Sequence, residues 1–217
     1  MKSAGRTGGY ALRPDLVVAT LLWDSNQNSK SFSQAYDESW AEKLYRGFAR
    51  NLTIPFEFVC FTDRERDFEE PITQRLMTNR TPGYGDCIEP YRLNRPMILV
   101  GLDTIVTGNC DALAEYCFTA ERIAVPLDPY RPTRVCNGVA LVPAGHAHVY
   151  ERWRGQNDME WIRRQNPDVL DTLFPGQVLS YKCHVKPNGL GGARIVYFHG
   201  KEKPHEIEEG WVDQHWR

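Results

Sequence analysis

The sequence predicts an α/β fold, a single domain with a mostly parallel central sheet flanked by helices. Three observations carry this. Short, nearly continuous apolar runs (LVVATLLW at 16–23, FEFVCF at 56–61, MILV at 97–100) have the pattern of strands buried on both faces. A long amphipathic stretch lies between the first two, and strand–helix–strand is the right-handed crossover unit of parallel sheets. The 217 residues, 41% hydrophobic and 25% charged, suffice for one sizeable core, and no repeat or linker divides them.

Composition also narrows function. The net charge of −2 provides no global basic field for nucleic acid or anionic membrane, although a local patch remains open. No apolar run approaches the ~20 residues that span a bilayer. Met1 to Arg13 is rich in Gly, Ser and Arg and lacks an apolar h-region, so residues 1–14 are expected to form a flexible arm rather than a secretory signal. The six cysteines are scattered, without a CxxC pair, and several sit in apolar strands. They are expected to be reduced core residues of a cytoplasmic protein.

Leu16–Trp23 is the first predicted strand. It ends at the turn signal Asp24-Ser25-Asn26, which opens either onto a nucleotide base or merely onto the sheet edge. Ser31–Arg50 is the predicted helix. Phe32, Tyr36, Trp40, Leu44 and Phe48 form a core-facing stripe, and Ser31 with Gln34 fits a capping box. Phe56–Phe61 is the second strand, ending at Thr62-Asp63-Arg64. Glu69–Asp86, with Pro71, Pro82, Gly83 and Gly85, is expected to be an irregular excursion near the site.

The stretch Met97–Asp111, MILVGLDTIVTGNCD, organises the rest. Met97–Val100 and the resumed Ile105-Val106 read as a central strand, with Asp103 in the break at its carboxyl end. A charged carboxylate there costs several kcal/mol unless a cation or ligand compensates it, and ligands of open α/β sheets bind at that edge. Asn109 is placed to cap a short helix starting near Asp111. Ile123–Val125 is a further short strand, and the step Asn137-Gly138 into Val139–Val142 allows close backbone approach by a ligand.

Residues 146–154 and 157–165 have the pattern of two helices. They carry Arg152, Arg154, Arg163 and Arg164, the one locally basic region, which reads either as a solvated face or as phosphate contacts. His146 and His148, two apart on a helix, make a poor metal pair. Val178–Tyr181 and Arg194–Phe198 are the last strands. The latter runs into His199-Gly200-Lys201-Glu202-Lys203-Pro204, and residues 206–217 form a polar tail holding Trp211 and Trp216.

Asp103, His199, Lys201 and Lys203 all stand at strand exits. A carboxylate and an imidazole can share a divalent metal, and lysines beside a glycine turn can hold phosphate oxygens. Metal and lysines around a diphosphate polarise a leaving group.

These residues carry a family resemblance. ILVGLDTIVTGNCDAL resembles the ILYLDLDTVVTGNLD pattern of nucleotide-sugar glycosyltransferases of the GT-A (Rossmann-like) fold, and FHGKEKP is similar to the ending of the glycogenin-like, retaining members. WAEKLYRGFARNLTIPFEFVCFTD (40–63) and Leu179–Lys182 resemble small bacterial and phage members. The resemblance covers about Val17 to His205, and it implies a transferase domain over residues 15–205 that moves a sugar from a nucleotide-diphosphate donor to a hydroxyl. It implies Asp103 as the second carboxylate of a DxD motif, binding Mn²⁺ or Mg²⁺ with His199. It implies Lys203, Gly200 and Lys182 at the diphosphate, and Thr20, Leu21, Trp23, Asp63 and Leu102 around the nucleotide, a uridine. Asn137 and Gly138 would face the sugar or acceptor.

The chain departs from the pattern twice. Gly101 stands where the first Asp of DxD belongs, so metal affinity is expected to be weak, metal dispensable or the donor altered. His199 immediately precedes Gly200, whereas the family sets its His three residues before the Gly. If the reaction inverts, a base near the acceptor is needed. Asp158 and Glu160 of NDMEW are the candidates, and both also fit the ordinary first turn of a helix.

The acceptor is expected to be a glycan, or a hydroxymethylated pyrimidine in phage DNA that would use the four arginines. A non-catalytic sugar-nucleotide binding protein is the alternative suggested by Gly101. A nucleotidyltransferase is disfavoured, because the loop after the first strand, DSNQNSK, lacks glycine.

Overall fold

The structure, a computed structural model, describes residues 15–29 and 34–217. The predicted N-terminal arm and the Ser31 and Phe32 positions of the predicted helix lie outside the described residues.

In chain order the elements are β1 (Leu16–Leu22), α1 (Glu38–Asn51), β2 (Phe56–Thr62), β3 (Ile72–Leu76), a 3-10 segment Tyr84–Leu93, β4 (Met97–Val100), β5 (Thr104–Val106) and α2 (Asp111–Thr119). There follow β6 (Ala124–Val125), β7 (Leu127–Asp128), β8 (Arg131–Val135), β9 (Val139–Val142), α3 (His148–Glu151), α4 (Asp158–Arg163), β10 (Asp168–Val169) and α5 (Leu170–Leu173). The chain continues with β11 (Val178–Ser180), a π-helical turn Tyr181–Val185, α6 (Lys186–Asn188), β12 (Ile195–Tyr197) and α7 (Gly210–His215).

The central sheet has seven strands in the order β10-β6-β9-β4-β1-β2-β3. β1, β2, β3 and β4 run parallel, and β9 is antiparallel to both neighbours. Period-two alternation sends Leu16 and Val18 of β1, with Ile98 and Val100 of β4, into one apolar cluster beneath Phe48. Val17, Ala19, Leu21, Met97 and Leu99 enter a second cluster on the other face, with Ile88 and Tyr91. Both faces are therefore covered, which is why these strands read as continuous apolar runs. This is the mixed α/β, Rossmann-like domain that the sequence predicts. Among the described residues, no helix is long and apolar enough to cross a membrane, and all six cysteines are free thiols.

Four expectations need correction. The Met97–Val106 run is two strands in two sheets, not one. β4 pairs with β1 and β9, whereas β5 pairs antiparallel with β12 in a second, three-stranded sheet β11-β12-β5. The turn at Gly101-Leu102-Asp103 makes the switch.

The stretch expected to be irregular after Glu69 contains β3, a parallel edge strand beside β2. Its residues are half-buried or exposed, and an edge strand needs little apolar signal, since only one flank is paired.

The predicted helix starts at Glu38 rather than Ser31. Asp37 is the N-cap, its carboxylate accepting from the Ser39 N–H at 3.0 Å. Trp40, Leu44 and Phe48 are buried core, as the stripe predicts. Gly47 lets α1 lie close on β5, since a Cβ there would meet Val106 Cβ at 3.3 Å. The N-cap of α2 is Cys110 rather than the expected Asn109, whose side-chain oxygen instead accepts from the Asp111 N–H at 3.1 Å from one residue further out.

The C-terminal segment is packed on the domain. Trp216 meets Trp40 edge-on at 4.9 Å between ring centroids, and the Lys43 ammonium lies 3.8 Å from a Trp216 ring centroid.

Candidate active site

Several chain segments converge beyond the carboxyl ends of β1 and β4. Because β9 is antiparallel to β4, with Val100 opposite Val139, its incoming residues Asn137 and Gly138 arrive at the edge where β4 departs. The Gly101 N–H reaches the Gly138 carbonyl at 3.4 Å. β12 is antiparallel to β5, with Tyr197 opposite Thr104, so the Phe198 N–H donates to the Asp103 carbonyl at 3.2 Å and His199 follows alongside. The switch between two sheets thus brings sequence-distant residues to one edge, where open α/β sheets hold ligands.

Two cavities adjoin there, sharing Tyr84, His199 and Gly200. The smaller, about 220 Å³, is lined by Leu21, Trp23, Leu102, Asp103 and Lys203, with Tyr36 and Cys87. The larger, about 540 Å³, is lined by Asn137, Gly138, Asp128 and Asp158, with Tyr130 and Tyr197.

In the smaller cavity the Asp103 carboxylate is doubly engaged. Its Oδ2 forms an ion pair with the Lys203 ammonium and accepts from the Tyr36 hydroxyl at 3.0 Å. Burial, then the Asp103 charge, pushes the Tyr36 hydroxyl up, so it stays protonated and donates. Lys203 is only 4% exposed, and its backbone N–H donates to Glu206 Oε2 at 2.7 Å. His199 Nε2 and Ser180 Oγ are 2.7 Å apart. Burial first, then the Lys182 ammonium, holds this imidazole below its ordinary pKa.

In the larger cavity Asp158 is the first residue of α4, after the N-cap Asn157. Its Oδ2 accepts from Asn137 Nδ2 at 3.3 Å. Burial pushes the Asp158 carboxyl above the ordinary carboxylate range, against the opposing pull of that hydrogen bond. Asp128 accepts from the Tyr130 N–H at 3.0 Å and from Arg163 Nη2 at 3.5 Å.

Most of the residues proposed from the sequence therefore meet: Asp103, His199, Leu21, Trp23, Leu102, Gly200 and Lys203 at one cavity, and Asn137, Gly138 and Asp158 at the next. Three do not. Thr20 is fully buried, because strand alternation turns it away from the face of Leu21 and Trp23. Asp63 is held inside a salt-bridge network, its Oδ1 on Arg66 at 2.9 Å and its Oδ2 on the Asp24 N–H at 3.1 Å. Lys182 lines neither cavity and lies 3.9 Å from Glu202.

Glu160 is exposed and lines neither cavity, and the same holds for Arg152, Arg154 and Arg164. Arg163 donates to the Val135 carbonyl at 2.8 Å.

Sequence reasoning missed Tyr84, Tyr130, Tyr197 and Asp128. It also took Tyr36 for core alone, although its hydroxyl reaches Asp103 while its ring packs on Trp40.

The donor set does not build a divalent-metal site. Mn²⁺ and Mg²⁺ take several oxygen ligands. Here the single carboxylate is bonded to an ammonium, the imidazole Nε2 is bonded to Ser180, and position 101 carries no side chain. Among the described residues no three His, Cys, Asp or Glu side chains converge.

No protein-family profile and no curated protein sequence matches this chain. Among solved structures it is similar to the crystal structure of the glycosyltransferase GlyE of Streptococcus pneumoniae TIGR4, at 11% identity and a TM-score of 0.56. The likeness covers 88% of this chain and 56% of that one, so the chain spans little more than half of its neighbour's length. At that identity it shows a shared fold.

Proposed function

We propose, proceeding from that shared fold, that the chain transfers a sugar from a nucleoside-diphosphate donor, a UDP-sugar, to the hydroxyl of a saccharide acceptor. The observation that carries this reading is the pair of adjoining cavities meeting at His199 and Gly200. A buried cationic group, Lys203, stands in one of them, and a carboxyl with raised pKa, Asp158, in the other.

In this reading the wall of Leu21 and Trp23 receives the nucleoside, and Lys203 and Gly200 receive the diphosphate. The sugar lies at the junction, beside His199. The larger cavity takes the acceptor. Its tyrosines offer ring faces to the apolar side of a sugar, and Asp128, Asp158 and Asn137 offer hydrogen-bond partners for hydroxyls. Asp158 takes the proton of the attacking hydroxyl as its oxygen bonds to the anomeric carbon and the nucleoside diphosphate leaves with the electron pair.

A nucleic-acid acceptor is less well supported, because the cavity presents two carboxylates and none of the four arginines. Polyphosphate binding needs cations along its track.

The test is incubation with a panel of nucleotide sugars and oligosaccharides, reading nucleoside-diphosphate release and the mass of the acceptor. Release with an acceptor gaining one sugar mass is expected. Absence of both binding and release with every donor would overturn the reading.

A further inference from the structure

We propose that the Lys203 ammonium, seated on Asp103, is the resident cation for the donor diphosphate, so that this chain binds a nucleoside diphosphate without a divalent metal. The inference rests on the proposed function and concerns the same cavity. Three features point to it.

The first is position 101. A Cβ there would lie 2.9 Å from Asp103 Oδ1. The glycine therefore does more than omit a carboxylate, since Asp103 lies back over it. An aspartate at 101 would force the Asp103 carboxylate to turn aside. The present orientation, with Oδ2 on Lys203 and Tyr36, belongs to a site with one carboxylate.

The second is the placement of Lys203. It is among the few buried charged residues, at 4% exposure. Burial of an ammonium is tolerated when a carboxylate compensates it. The ammonium has three N–H donors, a number that lets one group hold a carboxylate and a phosphate oxygen together. Glu206 fixes its backbone through the N–H at 2.7 Å.

The third is the charge around it. Gly200 has φ +65, a turn that glycine adopts without strain, and a Cβ on it would lie 3.7 Å from Lys182 Nζ. The turn thus passes close beneath one lysine and leads to the other. A dication entering here would meet like charge from Lys203, whereas a diphosphate meets opposite charge.

The experiment is calorimetric titration of UDP, with GDP, ADP, CDP and TDP alongside, into wild type and two variants, each with Mn²⁺ and with EDTA. Wild-type affinity is expected to agree within about threefold between the two conditions. Lys203→Met should weaken binding at least about tenfold, the scale of a lost charge-assisted contact. In Asp103→Asn the affinities with Mn²⁺ and with EDTA should likewise agree within about threefold, whatever their absolute values. Should Lys203→Met fail to fold because it strands Asp103, the double variant Asp103→Asn/Lys203→Met, which buries no charge, must show the same loss.

A gain of about tenfold or more with Mn²⁺ that vanishes in Asp103→Asn would overturn the inference and leave the transferase reading standing. Absence of binding by any nucleoside diphosphate in either condition would overturn both.

Discussion

Asn137 Nδ2 donates to Asp158 Oδ2 at 3.3 Å, tying the residues before β9 to the first turn of α4. The other oxygen of this amide, Asn137 Oδ1, is buried without a hydrogen-bond partner in the described structure. A buried amide oxygen left unpaired costs about 1–3 kcal/mol, and a hydroxyl-bearing ligand in the larger cavity would relieve it.

The first prediction concerns Asp158. Burial raises its pKa, so the ionised form that accepts a proton is populated only above the ordinary carboxylate range. Transfer at saturating donor should rise with pH along a limb displaced upward from about 4. Asp158→Asn should erase that limb and lower kcat by about 10²–10⁴-fold. Stability has the opposite sign. The folded state binds this proton more tightly than the unfolded chain, so wild type loses stability as pH rises from the ordinary value through the raised one. Asp158→Asn should not. A pH–rate profile and urea midpoints across the same range test both.

The second concerns Gly138. A Cβ there would lie 2.9 Å from Cδ2 of Tyr197 and 3.3 Å from Cε2. Gly138→Ala must displace the ring, which lines the larger cavity. The acceptor KM should rise by about tenfold or more, the consequence of a sub-ångström misplacement at a site. UDP affinity, set at the other cavity, should stay within about twofold. Steady-state kinetics and a parallel titration separate the two.

The third concerns Arg66, whose side chain is 1% exposed and contacts Asp24, Asp63 and Glu38 at 2.8, 2.9 and 3.0 Å. This network holds the loops that leave β1 and β2. Arg66→Met should destabilise the fold by ~3 kcal/mol, because it strands carboxylates together. The Arg64 hydrogen bond is the largest influence lowering Asp24 to about 2. A depressed carboxyl contributes stability above its ordinary value and loses it as pH falls toward the lowered one. The decline between pH 3.8 and about 2 should therefore be shallower in Arg64→Met, as read from denaturant midpoints.

The fourth concerns Trp216, which meets Trp40 edge-on at 4.9 Å and carries the Lys43 ammonium at 3.8 Å. Trp216→Ala should cost about 2 kcal/mol, combining an aromatic pair with a cation–π contact, and should lower Tm. It should leave UDP affinity unchanged, since neither cavity includes this residue.

Much of this was legible from residue order alone. Strands buried on both faces leave unbroken apolar runs, so β1, β2, β4 and β9 could be placed to within a residue or two. The edge strand β3 could not, because a half-exposed strand needs no apolar run. The start of α1 was displaced by seven residues, because Tyr36 continues the i, i+4 stripe although the helix begins only after Asp37. Asp103, His199 and Lys203 stood out as polar groups at the ends of apolar runs.

What residue order determined was the α/β class, the principal strands and the strand-exit residues, since apolar periodicity and chain punctuation are local properties. What only the tertiary structure decided was which of those residues meet. Asp103 and Lys203 are 100 positions apart, and their ion pair exists because the chain changes sheets at Gly101-Leu102-Asp103 and β12 returns antiparallel to β5. Thr20 was lost from the site and Tyr36 gained for the same kind of reason. Which side of a strand faces a cavity, and which distant hydroxyl reaches a carboxylate, depend on register and packing between remote segments.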